Sequence, residues 1–119
     1  MTDTLYSKIT EMLVPVLPKN WEKVHLYSHI TEDVYEFFFY VLVNNKYIQC
    51  FDLENEDDIL TVFDELNDLM LPDWKEKKWS TCTFSLDNNG HVNVDYDYSE
   101  LPEDIISYKE NWEKKYLIQ

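Results

Sequence analysis

Between residues 91 and 97 four polar side chains alternate with apolar ones: His91, Asn93, Asp95 and Asp97. On a strand, alternate residues stand about 6.7 Å apart on one side. Carboxylates at that spacing could share a cation if a third ligand arrived from elsewhere, or could work as an acid/base pair. The same row serves equally well as the solvated face of a strand, and no second ligand motif accompanies it. His25 and His29 also share a face, but four residues along a strand set them about 13 Å apart, too far to chelate one ion unless the strand bends. Cys50 and Cys82 make no disulfide framework and show no paired spacing with histidines, so cytosolic, reduced thiols are expected. No serine or cysteine sits in a nucleophile-elbow motif, and the chain has no arginine to hold an anionic substrate. One glycine and no alanine leave neither a phosphate-cradling loop nor a dinucleotide fingerprint. We expect no cofactor, no metal and no enzymatic activity.

The carboxylates matter more as a set. Twenty-four Asp and Glu against ten Lys give 119 residues a net charge of −14, which excludes unaided binding to nucleic acid or to an anionic membrane. Glu54, Glu56, Asp57 and Asp58 cluster where a helix should begin, and the helix dipole favours negative charge there. Four carboxylates exceed what one helix end uses, and the surplus suits a surface built to meet a basic partner. On a folded surface of roughly 6,900 Å² the net charge is about one uncompensated charge per 500 Å², enough to speed association with a cationic protein by orders of magnitude. An acidic binder of a nucleic-acid enzyme needs speed and tightness and no chemistry of its own.

These groups need a scaffold, and the chain is rich enough in apolar residues to build one. Hydrophobic residues make up 45% of it, including six Phe, four Trp and nine Tyr, so a packed core outweighs the self-repulsion and a single domain over residues 1–119 is expected. The longest apolar run, Phe37 to Val43, is far short of the ~20 residues that cross a bilayer, and the N-terminus lacks a basic region. A soluble, cytoplasmic chain is the expectation.

Leu5, Ile9, Met12, Leu13, Val16 and Leu17 share a helical face after a Thr2 or Asp3 cap, with Pro15 kinking or ending that helix. Ile59, Val62, Phe63, Leu66, Leu69 and Met70 keep the same spacing in a second helix that Asn55 caps and Pro72 stops. Between them lie strands over 22–30 and 34–43 and a third after Asn44-Asn45, a two-residue hairpin turn because Asn tolerates positive φ. Pairing Ile30 with Val34 puts Leu26 opposite Phe38 and Val24 opposite Tyr40. The second hairpin puts Leu42 opposite Tyr47, Tyr40 opposite Gln49 and Phe38 opposite Phe51. The expected core face is then Val24, Leu26, Phe38, Tyr40, Tyr47 and Phe51. The other face, with Tyr27, Tyr35, Phe37, Phe39, Val41 and Ile48, is too apolar to stay bare and needs a helix or a partner over it.

Two further strands, 79–86 and 91–98, flank the one glycine. Cys82, Phe84 and Leu86 pair with Tyr96, Val94 and Val92, leaving an Asn88-Asn89-Gly90 loop with Gly90 at the left-handed position. Val92, Val94, Tyr96 and Tyr98 then point inward and His91, Asn93, Asp95 and Asp97 outward. A last helix follows Pro102, with Ile105, Tyr108, Trp112 and Tyr116 inward and Lys114 and Lys115 near its negative end. The fold class is α+β: one antiparallel sheet of about five strands with three helices, in the order α-β-β-β-α-β-β-α.

Several of these segments form a recognisable set: "PKNWEKVHLYSHI" and "VYEFFFYV" near the start, "FSLDNNGHVNVDYDYSEL" in the last hairpin, and "NWEKKYL" at the end. Together they resemble the YezG-like antitoxin (immunity) family, which includes EsaG. The matching positions are Pro18, Trp21, Leu26, Tyr27, Ser28 and Ile30, then Asp95, Tyr96, Asp97, Tyr98 and Glu100, then Trp112, Lys115, Tyr116 and Leu117. His29 stands where the family has an acidic residue, and the family's Arg before the last Trp and Gly after the last Leu are missing. The resemblance implies a cytoplasmic protein that binds and neutralises a nuclease toxin of the type VII secretion, LXG-like kind. Because family members can occur as divergent tandem copies, that toxin can be cognate or non-self. The alternative is an acidic adaptor or chaperone that escorts a basic secretion substrate without inhibiting it. For partner binding, alternation favours Asp95 and Asp97, followed by Glu100, Glu54, Glu56, Asp57 and Asp58, while Tyr96 and Tyr98 are assigned to packing.

Overall fold

The computed structural model describes residues 3–117. Helix α1 (Asp3–Leu13) passes at Pro15 into a 3-10 turn, Val14–Val16, and the Thr2 alternative for its cap lies outside the described residues. Strands β1 (Lys23–Ile30), β2 (Tyr35–Val43) and β3 (Lys46–Gln49) follow, and a 3-10 turn at Cys50–Asp52 leads into α2 (Glu56–Lys77). Strands β4 (Thr81–Asp87) and β5 (Val92–Asp97) and helix α3 (Ile105–Tyr116) complete the expected order. The strands make one antiparallel sheet, β3-β2-β1-β4-β5.

Two hairpins have the expected register. Asn44 and Asn45 take φ of 51° and 65°, and Leu42 pairs with Tyr47 and Tyr40 with Gln49. Gly90 has φ of 87°, and Cys82, Phe84 and Leu86 pair with Tyr96, Val94 and Val92. The β1–β2 hairpin differs by one residue: Ile30 pairs with Tyr35, Leu26 with Phe39 and Val24 with Val41. The cause is the connection, which takes in Val34 as well. Thr31 N–H donates to the Val34 carbonyl at 2.8 Å, and the Thr31 hydroxyl accepts the Val34 N–H at 3.0 Å.

Because side chains alternate along a strand, that single residue exchanges the faces of β2 relative to β1. Val24 and Leu26 share the α1/α2 side with Phe37, Phe39 and Val41, and with Cys82, Phe84 and Leu86 of β4, all buried. Buried Ile9 and Leu13 of α1 and Ile59, Val62, Phe63, Leu66 and Met70 of α2 belong to the same core. The Phe63 ring sits 5.8 Å from Phe37 and 6.1 Å from Phe39. The row that needed a cover therefore has a helical one, except Tyr27, which faces the other way. There Tyr27 stacks on Phe38 at 4.4 Å, and Trp112 of α3 meets both edge-on at 5.8 and 5.3 Å. Phe51 is not on the sheet at all: β3 stops at Gln49, and the 3-10 turn leaves Phe51 44% exposed. On β5, Val94 and Tyr96 pack on the core as expected, whereas Val92 and, one residue past the strand's end, Tyr98 are exposed.

Helix α2 also departs from its expected ends. Pro72 lies inside it, and the helix continues to Lys77, closing at Lys78 with φ of 57°. The carbonyl that the missing N–H frees belongs to exposed Asp68, where water can satisfy it. The added length is anchored by Trp74 Nε1–H donating to the Trp79 carbonyl at 3.1 Å and Trp79 Nε1–H donating to Asp73 at 3.2 Å. Asn55 stands at the N-cap, but its side chain donates to the Val16 carbonyl at 3.0 Å, tying α2 to the end of the α1 segment instead of capping.

Two predictions follow from the face under α3. The Tyr27 hydroxyl is buried and has no hydrogen-bond partner among the described residues, so Tyr27→Phe is expected to raise stability by about 1–2 kcal/mol in urea unfolding; a loss of stability would show that the hydroxyl is satisfied. His25 is buried, with Nδ1 2.6 Å from the Ser85 hydroxyl and Nε2 3.3 Å from that of Tyr47. Burial, helped by the Lys23 charge, lowers its pKa from 6.5 to about 4. The folded protein keeps His25 neutral while the unfolded chain takes up a proton, so this contribution is full above pH 6.5 and is lost as pH falls towards 4. Its size is on the order of 3 kcal/mol. Denaturation between pH 7 and 4 should show that slope in the parent and a much flatter one in His25→Gln.

Candidate functional site

Helix α3 lies over β4 and β5 and encloses a polar cleft of about 350 Å³. The helix starts where Asp104 accepts the Ser107 N–H at 3.2 Å, and Lys114 and Lys115 occupy its last turn. Tyr108, Trp112 and Tyr116, spaced four apart, form one stripe aimed at the sheet. Thr81 and Thr83 of β4 and Asp95 and Asp97 of β5 point up at it, since cross-strand pairing puts Asp95 beside Thr83 and Asp97 beside Thr81.

The two rows are joined by hydrogen bonds. The Tyr108 hydroxyl donates to Asp97 at 2.9 Å and lies 2.9 Å from the Thr81 hydroxyl. Trp112 Nε1–H donates to Thr83 at 2.9 Å, and the Tyr116 hydroxyl donates to Asp95 at 2.8 Å. Burial works to raise the pKa of Asp97, but the Ser99 N–H at 2.8 Å, the Tyr108 hydroxyl and the nearby Lys115 charge outweigh it, and the carboxyl sits below its ordinary value. Burial followed by the Asp95 hydrogen bond pushes the Tyr116 phenol well above its usual range. Asp97 is thus a fixed anion and Tyr116 a fixed neutral donor, the opposite of an acid/base pair poised near neutrality.

Other reactive groups are equally occupied. Burial lifts the Cys50 thiol to about 11 and Cys82 to about 12, which leaves neither as a thiolate nucleophile. His91 pairs with Asp87 at 3.0 Å, and His29 Nδ1–H donates to the Ser80 carbonyl at 2.6 Å. Among the described residues no group of three or more His, Cys, Asp or Glu side chains is placed to hold a metal ion. No helix of the described residues is long and apolar enough to cross a membrane.

Asp95 and Asp97 point to the side that alternation dictates, but that side is roofed by α3, and both are half-buried rather than free. Glu100 is exposed on the segment leading from β5 to α3. Glu54, Glu56, Asp57 and Asp58 are exposed around the start of α2, just after the turn that leaves edge strand β3, whereas β5 is the other edge of the sheet. The structure therefore brings Asp95 and Asp97 together and sets the α2 group apart from them. Sequence reasoning missed Tyr108 and Tyr116 as partners of the two aspartates. The signal was present in the inward i, i+4, i+8 spacing on α3, but using it required knowing which face of the sheet that helix covers. Thr81 and Thr83 were missed for the same reason.

The sequence matches a known family along almost its whole length. The family described as Immunity protein YezG-like matches residues 2–118. An Immunity protein YezG of Bacillus spizizenii is 25% identical over 110 residues, which cover 82% of this chain and 68% of that protein. An Immunity protein YezG of Bacillus subtilis is 29% identical over 110 residues, covering 82% of this chain and 73% of that one. The Type VII secretion system protein EsaG of Staphylococcus aureus is 28% identical over 109 residues, 79% of this chain and 66% of the relative's own length. With a family match across residues 2–118, the chain belongs to the YezG-like immunity proteins, a family that is not enzymatic.

Proposed function

We propose that this protein is a cytoplasmic antitoxin that binds a secreted nuclease toxin, cognate or non-self, of the kind exported by type VII secretion, and inhibits it by occluding or deforming the toxin's cationic active region. The observation that carries this reading is a net charge of −14 on a surface of 7190 Å² in a member of an immunity family. A nuclease grips an anionic polymer, so the surface it exposes for that purpose is cationic. A densely anionic body is drawn to such a surface from a distance, and its carboxylates then stand where substrate phosphates would lie. The relative named for type VII secretion supports the class of partner.

The partner-facing carboxylates divide by role under this reading. Glu54, Glu56, Asp57, Asp58 and Glu100 are exposed and can meet lysines or arginines directly. Asp95 and Asp97 act through their field and present an anionic edge of β5 whose geometry is held by Tyr116 and Tyr108.

Two measurements test it. Purified protein mixed with the secreted nuclease encoded beside its gene should abolish DNA cleavage at a one-to-one ratio; a complex that forms while cleavage continues would instead identify an escort for a basic secretion substrate. Replacing Glu56, Asp57 and Asp58 together by Lys should slow association at low salt by about tenfold or more, while lowering stability by about 1–3 kcal/mol because the α2 dipole favours negative charge there, and an unchanged on-rate in the folded variant would remove that cluster from the encounter surface.

A further inference from the structure

We infer that a groove formed by Tyr35, Phe51 and Leu60 over the Phe63 ring is the docking surface for a cationic segment of the toxin that carries an aliphatic or aromatic anchor, an assignment that rests on the reading of the partner as a basic protein. The groove has a volume of about 430 Å³ and lies on the α2 side of the sheet, away from the α3 cleft.

The amino-acid choices here are not those that folding requires. The buried stripe of α2 is Ile59, Val62, Phe63, Leu66, Met70 and Trp74. Leu60 falls outside it and is 45% exposed, a position where a polar residue would serve the helix equally well. Phe51 is 44% exposed because its backbone has left the strand, and its ring stands edge-on to Phe63 at 6.2 Å. Two large, part-exposed apolar side chains thus line one groove with a third, as interface anchors do.

Charge selects the occupant. Glu36 and Asp64 line the groove, and Glu56 and Asp57 lie one helical turn from Leu60. The Tyr35 hydroxyl donates to Asp64, and Lys109 pairs with Glu36 at 2.9 Å. An apolar floor within a net anionic rim repels anionic lipid. A second copy of this chain would set the same carboxylates against each other across a self-complementary contact. A segment with a hydrophobic side chain flanked by lysines or arginines satisfies both floor and rim.

The test uses the full chain and the nuclease encoded beside its gene, inactivated by substitution of its catalytic residue, in calorimetric titrations and in hydrogen exchange of the wild-type complex. Phe51→Ala and Leu60→Ala should each weaken binding by about tenfold or more, with both free variants still folded and Leu60→Ala melting close to the parent, and the complex should gain protection over residues 50–64. Wild-type affinity in both variants, with no protection there, overturns the groove and leaves the proposed function standing. Failure of the wild-type chain to bind the nuclease overturns both. Concentration-dependent dimers of the free chain that Leu60→Asp dissolves would overturn the assignment in favour of a second copy.

Discussion

The structure is governed by the need to cover a sheet that is apolar on both sides. Strand β1 is buried along nearly its whole length, with Val24, Leu26 and Ile30 facing α1 and α2, and Tyr27 facing α3. A strand of that kind cannot stand at the surface, which explains its central place between β2 and β4. On one side two helices supply the cover. On the other, one tryptophan does most of the work: Trp112 closes over Tyr27 and Phe38 while its indole N–H reaches Thr83. The tyrosines above and below it on α3 fix the two aspartates of β5, so the placement of those charges depends on the same contact that seals the core.

The electrostatics follow from this packing. Carboxylates in the α3 cleft are satisfied by hydroxyl and backbone donors, which keeps an anion such as Asp97 ionised and oriented. The exposed face of α2 adds Asp57, Asp58, Asp64, Glu65 and Asp68. Both arrangements produce a field rather than a reactive group, and that is what an inhibitor of a phosphate-binding enzyme needs. Apolar anchors at Phe51 and Leu60 would convert an attractive field into a tight contact, since charge complementarity contributes more to encounter and specificity than to affinity.

Much of this was legible in the sequence. Glycine and asparagine chemistry set two of the hairpins, because the left-handed conformation is available to few residues. The β1–β2 register was not legible in the same way: the Thr31 hydroxyl, bonding to Val34, adds one residue to the turn, and a period-two pattern turns that one residue into an exchange of faces. Pro72 was misleading because the freed carbonyl belongs to an exposed residue, Asp68, and the tryptophans beyond it hold the extra turn. For the candidate site, alternation gave the direction of Asp95 and Asp97 correctly. It gave no information about their roof, which depends on a helix closing from the far end of the chain, nor about Phe51, whose exposure comes from a 3-10 turn that periodicity does not reveal.

Under the proposed function, a densely anionic surface captures a cationic toxin. The decisive measurement is the association rate constant between this protein and the nuclease toxin proposed as its partner, as a function of ionic strength. A rate near 10⁸ M⁻¹s⁻¹ or above is expected at low salt, falling by roughly two orders of magnitude as the Debye length shrinks from about 30 Å to about 3 Å. A rate near 10⁵–10⁶ M⁻¹s⁻¹ that does not change with salt would contradict it.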